Sequence, residues 1–236
     1  MGYGYGFGWY RFDWTYLLII LAFVISAIVQ SKMQSTFRKY SRIMSNCRMN
    51  GLMVARKILE SEGLYDVEVV SVPGNLTDHY DPRTRTVRLS ESVYSSSSLS
   101  AVSVAAHECG HAIQHAHAYA PLAIRSSLVP VANFGAGISW PLFLIGLFMV
   151  NKPLMIAGII LYSAAVLFQV VTLPVEFDAS ARALKKLNNL AILEEDEVRG
   201  SRKVLGAAAM TYVAAALASL LQLLRLVVLA RGRSDD

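Results

Sequence analysis

Leu154-Met155-Ile156-Ala157-Gly158-Ile159-Ile160-Leu161-Tyr162-Ser163-Ala164-Ala165-Val166-Leu167-Phe168-Gln169-Val170-Val171-Thr172-Leu173-Pro174-Val175 carries no charged side chain and no His. About 20 such residues in a helix cross the roughly 30 Å apolar interior of a bilayer. Residues 14–29, 129–150 and 207–229 form three further apolar blocks, the last interrupted by Arg225. Mean hydropathy is +0.42. Of 236 residues, 17% are charged, against about a quarter in an ordinary soluble domain. The excess lies in blocks, so it reads as membrane spans and not as an enlarged core. The expected fold is a predominantly α membrane protein with about four transmembrane helices.

The first block does not read as a cleaved signal peptide. Only Arg11 and Asp13 are charged before it, and the stretch after it, Gln30-Ser31-Lys32-Met33, turns basic instead of offering small residues for cleavage. It reads as a retained anchor. Ahead of it, Gly2-Tyr3-Gly4-Tyr5-Gly6-Phe7-Gly8-Trp9-Tyr10 alternates Gly with aromatic rings. That pattern suits either a membrane–water interface or a glycine-rich tail.

Net charge is +5, but the basic residues cluster beside the spans, which argues against nucleic-acid binding. Lys32, Arg38, Lys39, Arg42 and Arg48 follow the first block; Arg182, Lys185, Lys186, Arg202 and Lys203 lie between the third and fourth. The positive-inside rule puts both groups in the cytoplasm and the N-terminus outside. The expected location is the cell membrane, multi-pass. The fourth block then leaves Arg231 and Arg233 outside, offset by Asp235 and Asp236, so the last helix either spans or lies partly at the interface. Cys47 and Cys109 both fall in cytoplasmic stretches, where a disulfide is not expected.

Between the first two blocks, residues 32–62 read as helical, with Gly63 as a stop. Residues 66–72, 76–80 and 84–89 read as strands, separated by Pro73-Gly74-Asn75 and Asp81-Pro82-Arg83. They predict a small antiparallel sheet of two or three strands. The serine run 95–98 offers an N-cap for a helix over about 99–118, which Pro121 ends or redirects. The chain divides into a tail and anchor (1–30), a cytosolic sheet and helix region (31–128), a transmembrane hairpin (129–175), a cytosolic helix (176–203) and a C-terminal helix with its tail (204–236).

The predicted helix over 99–118 holds His107-Glu108-Cys109-Gly110-His111. Two His at i and i+4 share a helix face and can hold one Zn²⁺, and the Glu between them can take a proton from water. A catalytic zinc needs a third protein ligand. Glu176, where the third block ends, completes a His₂Glu set, and the span hairpin returns it to the membrane face of His107 and His111. His117 completes the alternative metzincin spacing. In that pattern a Gly breaks the helix so that the last His can swing back, but here Gln114 stands in its place. Helix geometry therefore favours Glu176, and it disfavours His115 as well. Cys109 reads as a small buried packing residue.

Leu76-Thr77-Asp78-His79-Tyr80-Asp81-Pro82-Arg83, Val87-Arg88-Leu89-Ser90, Ala105-Ala106-His107-Glu108-Cys109-Gly110-His111-Ala112-Ile113-Gln114 and Pro174-Val175-Glu176-Phe177-Asp178-Ala179-Ser180 together resemble the bacterial YugP-type membrane neutral zinc metallopeptidases. The resemblance covers roughly residues 15–225. The order of parts is more remotely similar to the HtpX-type membrane gluzincins. It implies a minigluzincin-like site at the cytoplasmic face, with one Zn²⁺ per chain held by His107, His111 and Glu176, and Glu108 as general base. One departure stands out. Those gluzincins place an Asp four residues after the ligand Glu to orient a ligand His, and Ser180 occupies that place. Asp178, two residues on, is turned about 200° away. Ser180 can still hydrogen-bond a ligand His.

The expected activity is hydrolysis of peptide bonds at the cytoplasmic membrane surface, with the lipid bilayer and membrane or membrane-proximal proteins as partners. His79, Tyr80, Tyr119 and Arg182 are candidates for a second donor to the developing oxyanion. The alternative is a catalytically silent, zinc-stabilised scaffold, which has no use for Glu108. A metal transporter would carry ionisable groups inside its spans, and blocks 129–150 and 154–175 carry no charged residue and no His.

Overall fold

The computed structural model describes residues 14–232. The glycine–aromatic segment and the last charged residues, Arg233, Asp235 and Asp236, lie outside the described part. Seven helices and three strands follow in the order α1 (Tyr16–Tyr40), α2 (Gly51–Ser61), β1 (Glu68–Val72), β2 (His79–Asp81), β3 (Thr86–Ser90), α3 (Glu91–Tyr94), α4 (Leu99–Ala116), α5 (Ala120–Phe148), α6 (Lys152–Asn189) and α7 (Glu195–Gly232). Among the described residues, α1, α5, α6 and α7 are long and apolar enough to cross a membrane. Their outward faces keep Phe23, Ile28, Phe134, Ile160 and Leu224 exposed. In a bilayer such side chains meet lipid, which is as apolar as they are.

Each long helix outruns its apolar block. α1 carries on through the basic Arg38 and Lys39. α6 passes through Pro174 without a break, so one 38-residue helix holds both the third block and Glu176. Asn151 caps its start by accepting from the Leu154 N–H, with Pro153 in the first turn, where a missing N–H costs nothing. α7 is likewise continuous and packs along α1 and α6. Arg225 of α7 lies over the Tyr16 ring and donates to Thr15 Oγ1. The last helix therefore returns antiparallel to the start of α1.

Two buried clusters mark opposite ends of this assembly. Phe143, Met155 and Leu226 join α5, α6 and α7 at one end. At the other, Tyr40, Val54, Ile58, Val87, Leu89, Val102, Leu187 and Val204 belong to a larger core that gathers the end of α1, the sheet, α2, α4, the end of α6 and the start of α7. α4 runs through the middle of that core and is buried over most of its length. Ser98 caps it by accepting from the Ala101 N–H, as the serine run predicts. It ends at Ala116 with Ala118 in the left-handed region, and Pro121 then sits in the first turn of α5, so the proline redirects the chain by starting the next helix.

The sheet corrects the antiparallel expectation in one pairing. β2 pairs antiparallel with β3, but β1 pairs parallel with β3, in the order β1-β3-β2. After β1, residues 73–78 cross the end of the sheet and leave a gap one strand wide. The turn after Asp81 brings β3 back into that gap. Asp78 fixes the crossing by accepting from the Ser90 N–H and hydroxyl. β2 is therefore an edge strand, with one side open.

Candidate metal centre

α4 and α6 build the centre together. His107 and His111 face α6, and their rings meet edge to face with centroids 4.8 Å apart. Glu176 Oε2 lies 3.3 Å from His107 Nε2 and 3.6 Å from His111 Nε2. All three donor atoms fall within 4.8 Å of one another. Tetrahedral ligands about 2.0–2.2 Å from a zinc ion stand about 3.3–3.6 Å apart. The donor chemistry and the spacing to the carboxylate both fit that ion.

The close approach depends on Gly110. A Cβ there would meet the carbonyl oxygen of Ala179 at 2.4 Å, so only glycine lets the α4 and α6 backbones come this near. The motif thus supplies both the ligand pair and the gap into which the second helix fits.

The remaining ring nitrogens are occupied. Gln114 is fully buried, and its Nε2 donates to the Val175 carbonyl and to Asp178, each at 2.8 Å. Two acceptors on Nε2 settle which end of the amide is which. Oε1, which can only accept, lies 3.0 Å from His111 Nδ1. His111 therefore carries a proton on Nδ1, which leaves Nε2 as the nitrogen that faces Glu176. Ser180 Oγ lies 3.2 Å from His107 Nδ1 and can accept there in the same way. Asp178 reaches neither His directly and acts through Gln114, while Arg182 donates to the same carboxylate oxygen, Oδ2.

Glu176 is almost fully buried. Burial disfavours its charge, but hydrogen bonds and charge from His107 and His111 outweigh burial and hold its carboxyl below the ordinary range. Arg125 Nη1 lies 3.4 Å from Oε1, the oxygen turned away from the two His. The two carboxylate oxygens thus face different partners. Glu108 is buried beside this group. Burial pushes its pKa up; His107 and His111 oppose that, and the negative charges of Glu176 and Asp78 add to it.

Two cavities meet at these residues. A cleft of about 790 Å³ opens between β2 and α5, lined by His79, Tyr80, Arg125, Asn133 and Tyr212 among others. A smaller, largely apolar pocket lies between α1 and α7. Of the donor candidates named from sequence, His79 and Tyr80 line the cleft. Tyr80 also bonds His115, with its hydroxyl 2.9 Å from Nδ1. Tyr119 and Arg182 lie elsewhere, stacked on each other near His117. His117 caps the end of α4 and contacts Glu62 and Arg182, outside the donor cluster.

Sequence reasoning missed Gln114, Arg125 and Tyr212 as site residues. Gln114, three residues past His111, shares its helix face, a signal that was available. A lone Arg entering an apolar stretch, as Arg125 does, is a weaker one. Tyr212 lies inside an apolar block and carried no signal.

Four apolar helices with a His–His–Glu donor set at one end define a membrane protein with a candidate zinc centre. Over residues 15–231 the chain matches the family described as "Putative neutral zinc metallopeptidase", and it belongs to that family. It is 49% identical over 219 residues to the "Putative membrane protease YugP" of Bacillus subtilis (strain 168), covering 93% of this chain and 97% of that relative. No solved structure matches it.

Proposed function

We propose that this chain is a zinc-dependent endopeptidase that hydrolyses peptide bonds at the cytoplasmic surface of the cell membrane. The observation that carries this reading is the convergence of His107 Nε2, His111 Nε2 and Glu176 Oε2 beside the buried carboxylate of Glu108. His107, His111 and Glu176 would hold the metal, one ion per chain. Zinc bound there supplies a Lewis acid that polarises a carbonyl and lowers the pKa of a water.

The protein's own groups do the rest. Glu108 takes the proton of the attacking water and delivers it to the leaving amine. Gln114 and Ser180 hold the two imidazoles in the tautomer that turns Nε2 inward. Arg125 occupies the second oxygen of Glu176 and balances its charge. Tyr212 lines both cavities and can donate to the developing oxyanion. The open side of β2 borders the cleft, where an extended chain can add as a strand.

The charge distribution supports the cytoplasmic assignment. Arg38, Lys39, Arg182, Lys186 and Lys203 all lie on helix segments that join the core around α4, the end that holds the donor cluster. Membrane proteins and chains close to the bilayer are the substrates such a location favours.

Metal content per chain, measured by mass spectrometry on detergent-purified protein, tests the reading. About one zinc is expected in the wild type and in His117→Ala, with little in Glu176→Ala. Glu108→Gln should keep the metal, lose cleavage and retain bound substrate. No zinc in the wild type after reloading would overturn the peptidase reading and leave the scaffold.

A further inference from the structure

The pocket between α1 and α7, of about 140 Å³, adjoins the cleft at Glu108, where the two share His107, Glu176 and Tyr212. Its inner wall is His107, Glu108, Glu176 and Tyr212. The rest of its lining is apolar except for Asp78 and Ser180, with Phe37 from α1, Val104 from α4, and Val204, Leu205, Ala208 and Ala209 from α7. A cavity of about 150 Å³ with apolar walls holds a benzene ring and stays dry without one. The volume therefore matches one large side chain. The cleft is several times larger and is bordered by the open edge strand. In a chain added to that edge, alternate side chains leave the strand on opposite faces, and one can point past the donor cluster into the pocket.

Resting on the peptidase reading, we propose that this pocket selects substrate. It takes a single large apolar side chain, Phe, Leu or Met, from a residue flanking the bond that is cut, and the two alanines of α7 set its depth. Acidic side chains are excluded, because Asp78, Glu108 and Glu176 already bring three carboxyl groups to the pocket wall. The preferred substrate is then an extended segment bearing an apolar residue next to the cut. Such segments occur where a membrane span leaves the bilayer and in unfolded chains.

The zinc-loaded full-length protein in detergent is given a denatured protein digest, and the cut sites are read by mass spectrometry. Phe, Leu and Met should be enriched beside the cut. Between matched peptides, kcat/KM should fall about tenfold or more when Phe is replaced by Ala, as expected for a filled apolar pocket. Ala208→Leu fills the pocket and should bring the ratio of kcat/KM between the Phe and Ala peptides to about one. Val204→Ala enlarges it and should shift the preference towards Trp, which guards against misfolding of the first variant. Cut sites with no apolar bias, or a bias that neither variant moves, would overturn the proposal.

Binding separates this outcome from failure of the peptidase reading. The Glu108→Gln protein should bind the Phe peptide at least tenfold more tightly than the Ala peptide by fluorescence anisotropy, and Ala208→Leu in that background should remove the difference. Equal binding would overturn the pocket even where cleavage is seen. A preserved difference without cleavage would overturn only the peptidase.

Discussion

The side-chain amide of Gln114 gives both its N–H groups to α6, at Val175 and Asp178, and turns its oxygen to the Nδ1 proton of His111. One fully buried residue thus ties the orientation of an imidazole to the helix that carries the third donor. Replacing it with Ala leaves the three donor residues untouched. Zinc affinity should nonetheless fall by about 10–100-fold, the usual loss when the partner of a ligand His is removed. Competition with a calibrated chelator measures it. Unchanged affinity would show that the amide plays no part in holding the metal.

Ser180 stands where a carboxylate would bind the imidazole more strongly. Ser180→Ala removes the partner of His107 Nδ1 and should weaken zinc binding by about tenfold. Ser180→Asp should restore binding or exceed the wild type. The same competition assay reads both variants, and equal affinities across the series would assign the serine to packing alone.

Gly110→Ala puts a methyl group against the Ala179 carbonyl. α4 and α6 must move apart, at a cost of about 1–3 kcal/mol for overpacking, and Glu176 recedes from the two His. Thermal unfolding in detergent should occur at lower temperature and metal occupancy should drop. Gly206→Ala is the control. Nothing lies within 4 Å of a Cβ there, so stability should stay the same or rise slightly as helix propensity improves.

The two cysteines should react differently. Cys109 is fully buried, and burial pushes its thiol well above the ordinary range. Reactivity needs the thiolate and access. A maleimide added to the native protein should therefore leave Cys109 unlabelled, while the half-buried Cys47 reacts. Peptide mapping before and after unfolding checks this, and labelling of Cys109 in the native state would contradict its placement.

The spans were legible because a membrane helix announces itself by length and lack of charge, as residues 154–175 do. His107, Glu108 and His111 were legible because their spacing is local. Glu176 could be reached from sequence because the hairpin at Asn151 returns the chain to the same face. The pairing of β1 with β3 was not legible. Alternation marks a strand, but its partner depends on where residues 73–78 carry the chain. Arg125 and Tyr212 escaped for a similar reason, since they meet the donors only after α5 and α7 have packed. His117 fitted a spacing rule, yet it lies apart from the donors because α4 continues straight to Ala116.

α6 has no loop between its apolar stretch and Glu176. From its first turn to the carboxylate it is a lever of about 35 Å, at 1.5 Å per residue. A tilt of about 10° at the far end, of the kind a helix adopts when bilayer thickness changes, would swing Glu176 by about 6 Å relative to a fixed α4. That exceeds the whole spread of the donor atoms. The seam at Gly110, the amide of Gln114, the Ser180–His107 contact and the packing of Leu187 in the core around α4 keep the lever in register. The thickness of the surrounding lipid would then act on the spacing of the three donor residues.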